Sequence, residues 1–293
     1  MNIIPANAQH IGKRFSQQDA FAFSDNTDRG FVHHSGLLAV LCDGMGGMAL
    51  GEKASNCAVK AMLTSYMKKA PQQTILEALH CGLQAANEAV LHLAKEAGRV
   101  DNVGTTLAAA VIHNGKLFWI SVGDSRIYLL RDGIAMQITQ DHNYGMVLAW
   151  RVHLGKITSQ QAAHDPERQA LVSYLGIPKL PYVSVSTRPM PLQPGDIILL
   201  CSDGLYGSLA HEELVQRMMD FPGLPDPLIQ AVLDKGYLHQ DNITVAMLTC
   251  EKETDTPILD DESFKVKYKS GSFVIGLLLL GIATAVVTYH LYL

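Results

Sequence analysis

Leu37-Leu38-Ala39-Val40-Leu41-Cys42-Asp43-Gly44-Met45-Gly46-Gly47 runs from an uninterrupted apolar segment into a glycine-rich turn that carries one carboxylate, with Gly51-Glu52 close behind. The run from Leu37 to Leu41 predicts a buried strand, and the glycines after Asp43 let the backbone turn tightly. An aspartate at a strand end, beside a backbone carbonyl freed by glycine, offers the oxygen ligands that Mg2+ or Mn2+ takes. Glycine-rich strand-to-helix turns also cradle phosphates or merely reverse the chain, and this motif alone leaves all three readings open.

Outward from this turn, Ala58, Val59, Met62, Leu63, Tyr66 and Met67 fall on one face of a helix. A second helix starts at Thr74, with Glu77 completing a capping box. Its stripe of Leu76, Leu79, Leu83, Ala86, Val90, Leu93 and Ala97 steps by three and four until Gly98 ends it. Two such helices in succession are expected to lie antiparallel over one sheet. From Thr106 the period changes to that of strands: 106–112, 116–122, 126–130 and 134–138, separated by Asn114-Gly115, Gly123-Asp124-Ser125 and Asp132-Gly133. Turns this short predict an antiparallel meander, with Asp124 in a hairpin turn.

Upstream, Arg14 and Asp19 flank Phe15-Ser16-Gln17-Gln18 before an early strand at Phe21-Ala22-Phe23. A guanidinium fork and a carboxylate can do chemistry, or can form an ordinary surface ion pair. Downstream, 139–178 reads as irregular to helical. There Asp141 and His142 are either catalytic or a capping aspartate and a satisfied histidine. The segment 195–204 repeats the opening logic, an apolar strand that ends in Ser202-Asp203-Gly204, and Asp241-Asn242 precede a strand at 243–248.

Composition narrows the function classes. A chain of 293 residues has room for ample core. A formal net charge of -5, without basic runs interleaved with aromatics, gives nucleic acid nothing to bind. Cys42, Cys57, Cys81, Cys201 and Cys250 are odd in number and lack metal-ligand spacing, which suits a reduced, cytosolic environment. Met1 to His10 shows no secretory signal. From Gly271 to Leu293 there is no Asp, Glu, Lys or Arg, and 22 residues from Ser272 make roughly 33 Å of helix, enough to cross a hydrocarbon core of about 30 Å. Lys265, Lys267 and Lys269 stand just before it, so the positive-inside rule keeps everything upstream in the cytoplasm. The organisation expected is a folded domain at 1–250, a polar linker at 251–270 and a transmembrane helix at 271–293.

Asp43, Asp203 and Asp241 lie at strand ends beside small or turn residues, and Asp124 joins them. Gathered without cations, four buried carboxylates would repel one another and take up protons. Two divalent ions turn that repulsion into coordination and clamp a phosphoryl group for in-line attack, with an arginine such as Arg14 on the phosphate oxygens.

These residues resemble the metal-dependent serine/threonine protein phosphatases of type 2C, the PPM family, in their compact bacterial form. The blocks that carry the resemblance are 14–19, 43–47 with Gly51-Glu52, Gly104-Thr105-Thr106, 122–126, 139–142, 201–205 and Asp241-Asn242-Ile243-Thr244. They occur in the family's order across about residues 8 to 250. The resemblance implies an α+β fold, an αββα sandwich of two antiparallel sheets flanked by helices, with the metal site at one end. It implies that Asp43 bridges two Mn2+ or Mg2+ ions, with Asp203 and Asp241 completing one shell and the Gly44 carbonyl serving the other. Asp124 matches the ligand of a more weakly held third ion, Arg14 the phosphate-binding arginine, and Asp19 a carboxylate that supports the metal shell. Residues 141–176 match the flap beside the site. Gln17-Gln18 is a mild departure from the family's usual pair. Met45 stands where many eukaryotic members have a histidine proposed as general acid, which leaves the leaving oxygen without that proton source.

The activity implied is hydrolysis of phosphoserine and phosphothreonine on cytosolic proteins by a metal-activated water. The expected location is the inner membrane, with a membrane-bound serine/threonine kinase and its substrates as partners. A non-catalytic phosphoprotein-binding scaffold on the same fold would be marked by lost metal ligands, and Asp43, Asp124, Asp203 and Asp241 are all present. A phosphatase dedicated to one partner-switching regulatory protein is the other alternative.

Overall fold

The apolar run opening the sequence analysis is β3 of the fold, and it is buried because it lies between two layers. In a computed structural model that describes residues 1–46, 48–100 and 102–252, the elements in chain order begin with β1 (Asn2–His10), β2 (Asp19–Phe23), α1 (Arg29–Ser35), β3 (Leu37–Met45), α2 (Met48–Tyr66) and α3 (Ile75–Glu96). Then come β4 (Gly104–Thr105), β5 (Leu107–His113), β6 (Lys116–Val122), β7 (Arg126–Arg131), β8 (Ile134–Gln137), α4 (Tyr144–His153) and α5 (Ser159–Ala163). The remainder is β9 (Ser184–Val185), β10 (Met190–Pro191), β11 (Ile197–Cys201), α6 (Asp203–Tyr206), α7 (His211–Asp220), α8 (Asp226–Leu233) and β12 (Ile243–Glu251). The expected membrane span at 271–293, and all but the first two residues of the expected linker, lie outside the described residues. Among the described residues no helix is long and apolar enough to cross a membrane.

Two antiparallel sheets stack face to face. One runs β1-β12-β11-β7-β8, and the other is built on β10-β6-β5-β3-β2 with β4 and β9 at its margins. The strand period of two sets the layers. Leu38, Val40 and Cys42 of β3 pack under α2 and α3, while Leu37, Ala39 and Leu41 face the sheet of β7, β11 and β12. Strand β11 does the same in mirror image: Ile198 and Leu200 meet the sheet of β3 and β5, while Ile197, Leu199 and Cys201 pack with Leu205, Leu214 and Leu228 of the opposite helical layer. Burial on both faces is why these strands read as unbroken apolar runs. The result is the expected αββα sandwich. The capping box on α3 is formed, with the Thr74 side chain accepting from the Glu77 N–H and Glu77 from that of Thr74.

The expected single meander is corrected. β5 and β6 form one hairpin and β7 and β8 another, but the two lie in different sheets. Asn114 and Asp132 have positive φ, as the two-residue hairpin turns they open require. The intervening Gly123-Asp124-Ser125 is a crossover between layers. Three polar residues with a glycine fit either role in a sequence, and only stacking of the sheets distinguishes them. The crossover carries Asp124 to the end of the sandwich.

Tyr66 closes α2 with its hydroxyl donating to the Ser35 carbonyl at 2.6 Å, in a site sealed from solvent. Tyr66→Phe strips that carbonyl of its partner and is expected to cost roughly 1–3 kcal/mol, read as a lower urea midpoint at unchanged slope.

Candidate metal and phosphate site

Asp43, Asp203 and Asp241 reach one end of the sandwich because β3, β11 and β12 end or begin there. Asp43 stands opposite Asp19 in the β2–β3 register. Its peptide is held at both ends: its N–H donates to Thr106 Oγ1 at 2.8 Å, and its carbonyl accepts from the Thr106 N–H at 2.8 Å and Thr105 Oγ1 at 2.7 Å. Asp203 opens α6 straight after β11, and Asp241 immediately precedes β12. The Asp203 carboxylate neighbours that of Asp43, and its Oδ1 is buried with no hydrogen-bond partner among the described residues. Asp124 arrives from the crossover, fixed by Tyr206 Oη donating to its carbonyl at 3.0 Å.

Close backbone approach is what permits this convergence. A Cβ on Gly204 would fall inside the Asn242 carbonyl oxygen, and one on Gly12 inside that of Asp241. Asn242 ties the N-terminal loop to the site. Its Oδ1 accepts from the Gln18 N–H at 2.7 Å, and its Nδ2 donates to the carbonyls of Ile11 and Ser16 at 2.9 and 3.1 Å. Arg14, carried on that loop, places Nη2 2.6 Å from Asp241 Oδ2. Arg14 therefore forms an ion pair, with Asp241 and not with Asp19, at the mouth of the site.

The carboxylates raise one another's pKa values. Burial pushes the Asp43 carboxyl well above the usual carboxylate range, and Asp19, Asp203, Asp124 and Asp241 push it further. Burial, then Asp203 and Asp141, raise Asp124 to about 7. Asp19 is raised to about 6, first by burial, although Ser202 Oγ and Thr244 Oγ1 each donate to its Oδ2 at 2.7 Å. Burial and Asp241 raise Asp203. Cations inserted here would return these groups to their ionised form. Among the described residues no three Asp, Glu, His or Cys side chains converge closely enough to hold an ion by themselves. An ion here would also draw on the Gly44 carbonyl and on water, as Mg2+ and Mn2+ commonly do. The oxygen-only donor set and the unpartnered Asp203 Oδ1 fit that class of ion.

Asp141 and His142 have structural partners. Arg126 forks onto Asp141, with Nε to Oδ1 at 3.0 Å and Nη2 to Oδ2 at 2.7 Å, and its guanidinium lies 3.5 Å from the centre of the Tyr206 ring. Since Tyr206 also grips Asp124, Arg126 links the segment after β8 to the carboxylate end. Nothing in the residue spacing distinguished Arg126, Tyr206, Ser202 or Thr244. Their signal was only adjacency to the aspartates. The Gly123 N–H donates to His142 Nδ1 at 3.2 Å, so the ring is neutral there. Burial, only partly offset by Asp141, lowers its pKa from 6.5 to about 4. The neutral ring's contribution to stability is whole above pH 6.5 and drains away as pH falls towards 4, at most about 3 kcal/mol. His142→Gln is therefore expected to lose less stability than the parent over that range, measured by urea unfolding at pH 7 and pH 4.5.

A cleft of about 1430 Å3 opens beside the carboxylates, floored by Asp124, Asp203 and Asp241 and walled by α4 and the 237–240 loop.

The family pattern described as "Protein phosphatase 2C" matches residues 7–238. The serine/threonine phosphatase stp of Listeria innocua is 30% identical over 241 residues, covering 76% of this chain and 93% of its own. Among solved structures, the Mycobacterium tuberculosis serine/threonine phosphatase PstP/Ppp superposes with a TM-score of 0.69 at 29% identity, covering 85% of this chain and 99% of that one. The catalytic domain of PstP in complex with two manganese ions superposes with a TM-score of 0.66 at 28% identity, over 85% and 99% of the two chains.

Proposed function

The chain belongs to the protein phosphatase 2C family, and on that premise we propose that Asp43, Asp203, Asp241 and the Gly44 carbonyl hold two Mn2+ or Mg2+ ions at the end of its sandwich. The protein is a metal-dependent serine/threonine phosphatase. The observation that carries the assignment of residues is the buried, unpartnered Asp203 Oδ1 at the strand ends that also bear Asp43 and Asp241. Bound ions supply Lewis acidity and an activated water for attack on phosphorus.

The chain's own residues do the rest. Arg14, half exposed on the loop tied down by Asn242, presents its fork to the phosphate oxygens while Asp241 fixes its direction. Thr105 and Thr106 hold the Asp43 backbone on both sides, which fixes the point from which its side chain departs. Asp19 is buried behind Asp43 and takes hydrogen bonds from Ser202 and Thr244, which bridges β2, β11 and β12 and supports the inner carboxylates. Asp124 is the ligand proposed for a third, more weakly held ion. The substrates proposed are phosphoserine and phosphothreonine proteins, among them a membrane-bound kinase and its targets. The apolar segment 271–293 supports single-pass anchoring in the inner membrane with the catalytic domain on the cytoplasmic side. Membrane fractionation with and without residues 271–293 tests that location.

Phosphate release from a phosphothreonine peptide is expected to require Mn2+ or Mg2+, to stop on chelation and to return when metal is restored. Turnover that persists in chelator would overturn the metal assignment.

A further inference from the structure

The most exposed large apolar side chains in the described residues are not scattered. Phe15 is 97% exposed, Leu238 87% and Trp150 63%, and all three surround the carboxylate end; Ile134, at 69%, is the remaining one above 60%. Phe15 directly follows Arg14, and its loop is joined to that of Leu238 by the Lys13 N–H donating to the Gln240 carbonyl at 3.0 Å. Trp150 sits across the cleft on α4, stacked on His153 with ring centres 5.6 Å apart. Trp150 and Leu238 both line the cleft whose floor is Asp124, Asp203 and Asp241. A soluble surface leaves single apolar residues exposed at random, whereas an apolar rim around a polar centre marks a binding site.

Resting on the phosphatase reading, we propose that this rim selects substrates: the occupant is a phosphorylated segment of a protein partner that carries bulky apolar side chains on both flanks of its phosphoserine or phosphothreonine. The cleft is continuous with the carboxylate floor, so a chain whose phosphate reaches Arg14 and the ions must lay its neighbouring residues between Trp150 and the 237–238 turn. The walls carry no lysine. Of the two arginines that line the cleft, Arg126 is held by Asp141, and Arg168 donates to the Ala162 carbonyl at 3.4 Å. Desolvation of apolar flanks against Trp150, Leu238 and Phe15 supplies the selectivity.

The test compares phosphothreonine peptides flanked by leucine, alanine or lysine, using the full chain in detergent with Mn2+, against Trp150→Ala and Leu238→Ser. Both positions are solvent-facing, and thermal melts check that the variants fold. The leucine-flanked peptide is expected to exceed the alanine-flanked one about tenfold in kcat/KM, mostly through KM, and each variant should reduce that ratio to about twofold or less. Equal kcat/KM for all three peptides, or a ratio that survives in both variants, would overturn the inference while leaving the phosphatase intact. Equal kcat/KM together with weaker self-association of the variants in sedimentation would assign the rim to a second copy instead. Failure to hydrolyse any of the peptides, or p-nitrophenyl phosphate, with Mn2+ present would remove the phosphatase reading itself.

Discussion

Asp203→Asn will reduce Mn2+-dependent phosphate release by roughly a thousandfold or more, and Asp43→Asn will do the same. Burial and the neighbouring aspartates, Asp19 and Asp203 foremost, raise Asp43 from its usual range, and burial and Asp241 raise Asp203. The stability effect should run the opposite way. Replacing one of a mutually repelling buried set by a neutral amide relieves the metal-free protein, so each variant should melt no lower than the parent when metal is absent. Adding Mn2+ at a hundred times its dissociation constant should stabilise the parent by about 2.7 kcal/mol and raise its melting temperature by several degrees. The variants should gain much less. Loss of activity with an undiminished Mn2+ shift would show that these aspartates act other than by holding the ions.

Gly204→Ala is expected to damage the site without removing any functional group. The added methyl would overlap the Asn242 carbonyl oxygen, which is backbone at the start of β12 and cannot rotate away. α6 must then move off β12, which separates Asp203 from Asp241 and loosens the Asn242 links to the loop that carries Arg14. A loss of about 1–3 kcal/mol in unfolding free energy is anticipated. With it should come a drop of more than tenfold in kcat at saturating Mn2+, because ligand separation is a geometric fault that more metal does not repair. Parent-like kcat in a folded Gly204→Ala protein would mean that the two loops are not held in register by this contact.

Much of the fold was legible because sheet and helix periods differ. β3 and β11 announced themselves as apolar runs that end in Asp-Gly, and α3 by its stripe and capping box. β1 did not. It is an edge strand, with Pro5 in its middle and only Ala8 buried, and only its nine-residue pairing with β12 from Asn2↔Glu251 to His10↔Ile243 makes it a strand. α1 is short and took its cap from Asp28, a signal too local to separate from a turn. The assignment of β6 and β7 to different sheets was hidden as well, since a crossover and a hairpin turn share the same small polar residues. At the site, the aspartates stood out because a carboxylate at a strand end is conspicuous. The residues that position them did not: Thr106, Asn242 and the Arg126–Asp141–Tyr206 group act through contacts across 15 to more than 200 positions of chain. Only folding brings those together.

The central claim is that the Asp43–Asp203–Asp241 end of the sandwich is a two-ion site. Crystals of the protein grown with Mn2+, with diffraction recorded on both sides of the manganese absorption edge, test it most directly. Two anomalous peaks are predicted, one contacting the Gly44 carbonyl, the other Asp203 and Asp241, with Asp43 reaching both. Peaks elsewhere, or none between these carboxylates at saturating Mn2+, would contradict it.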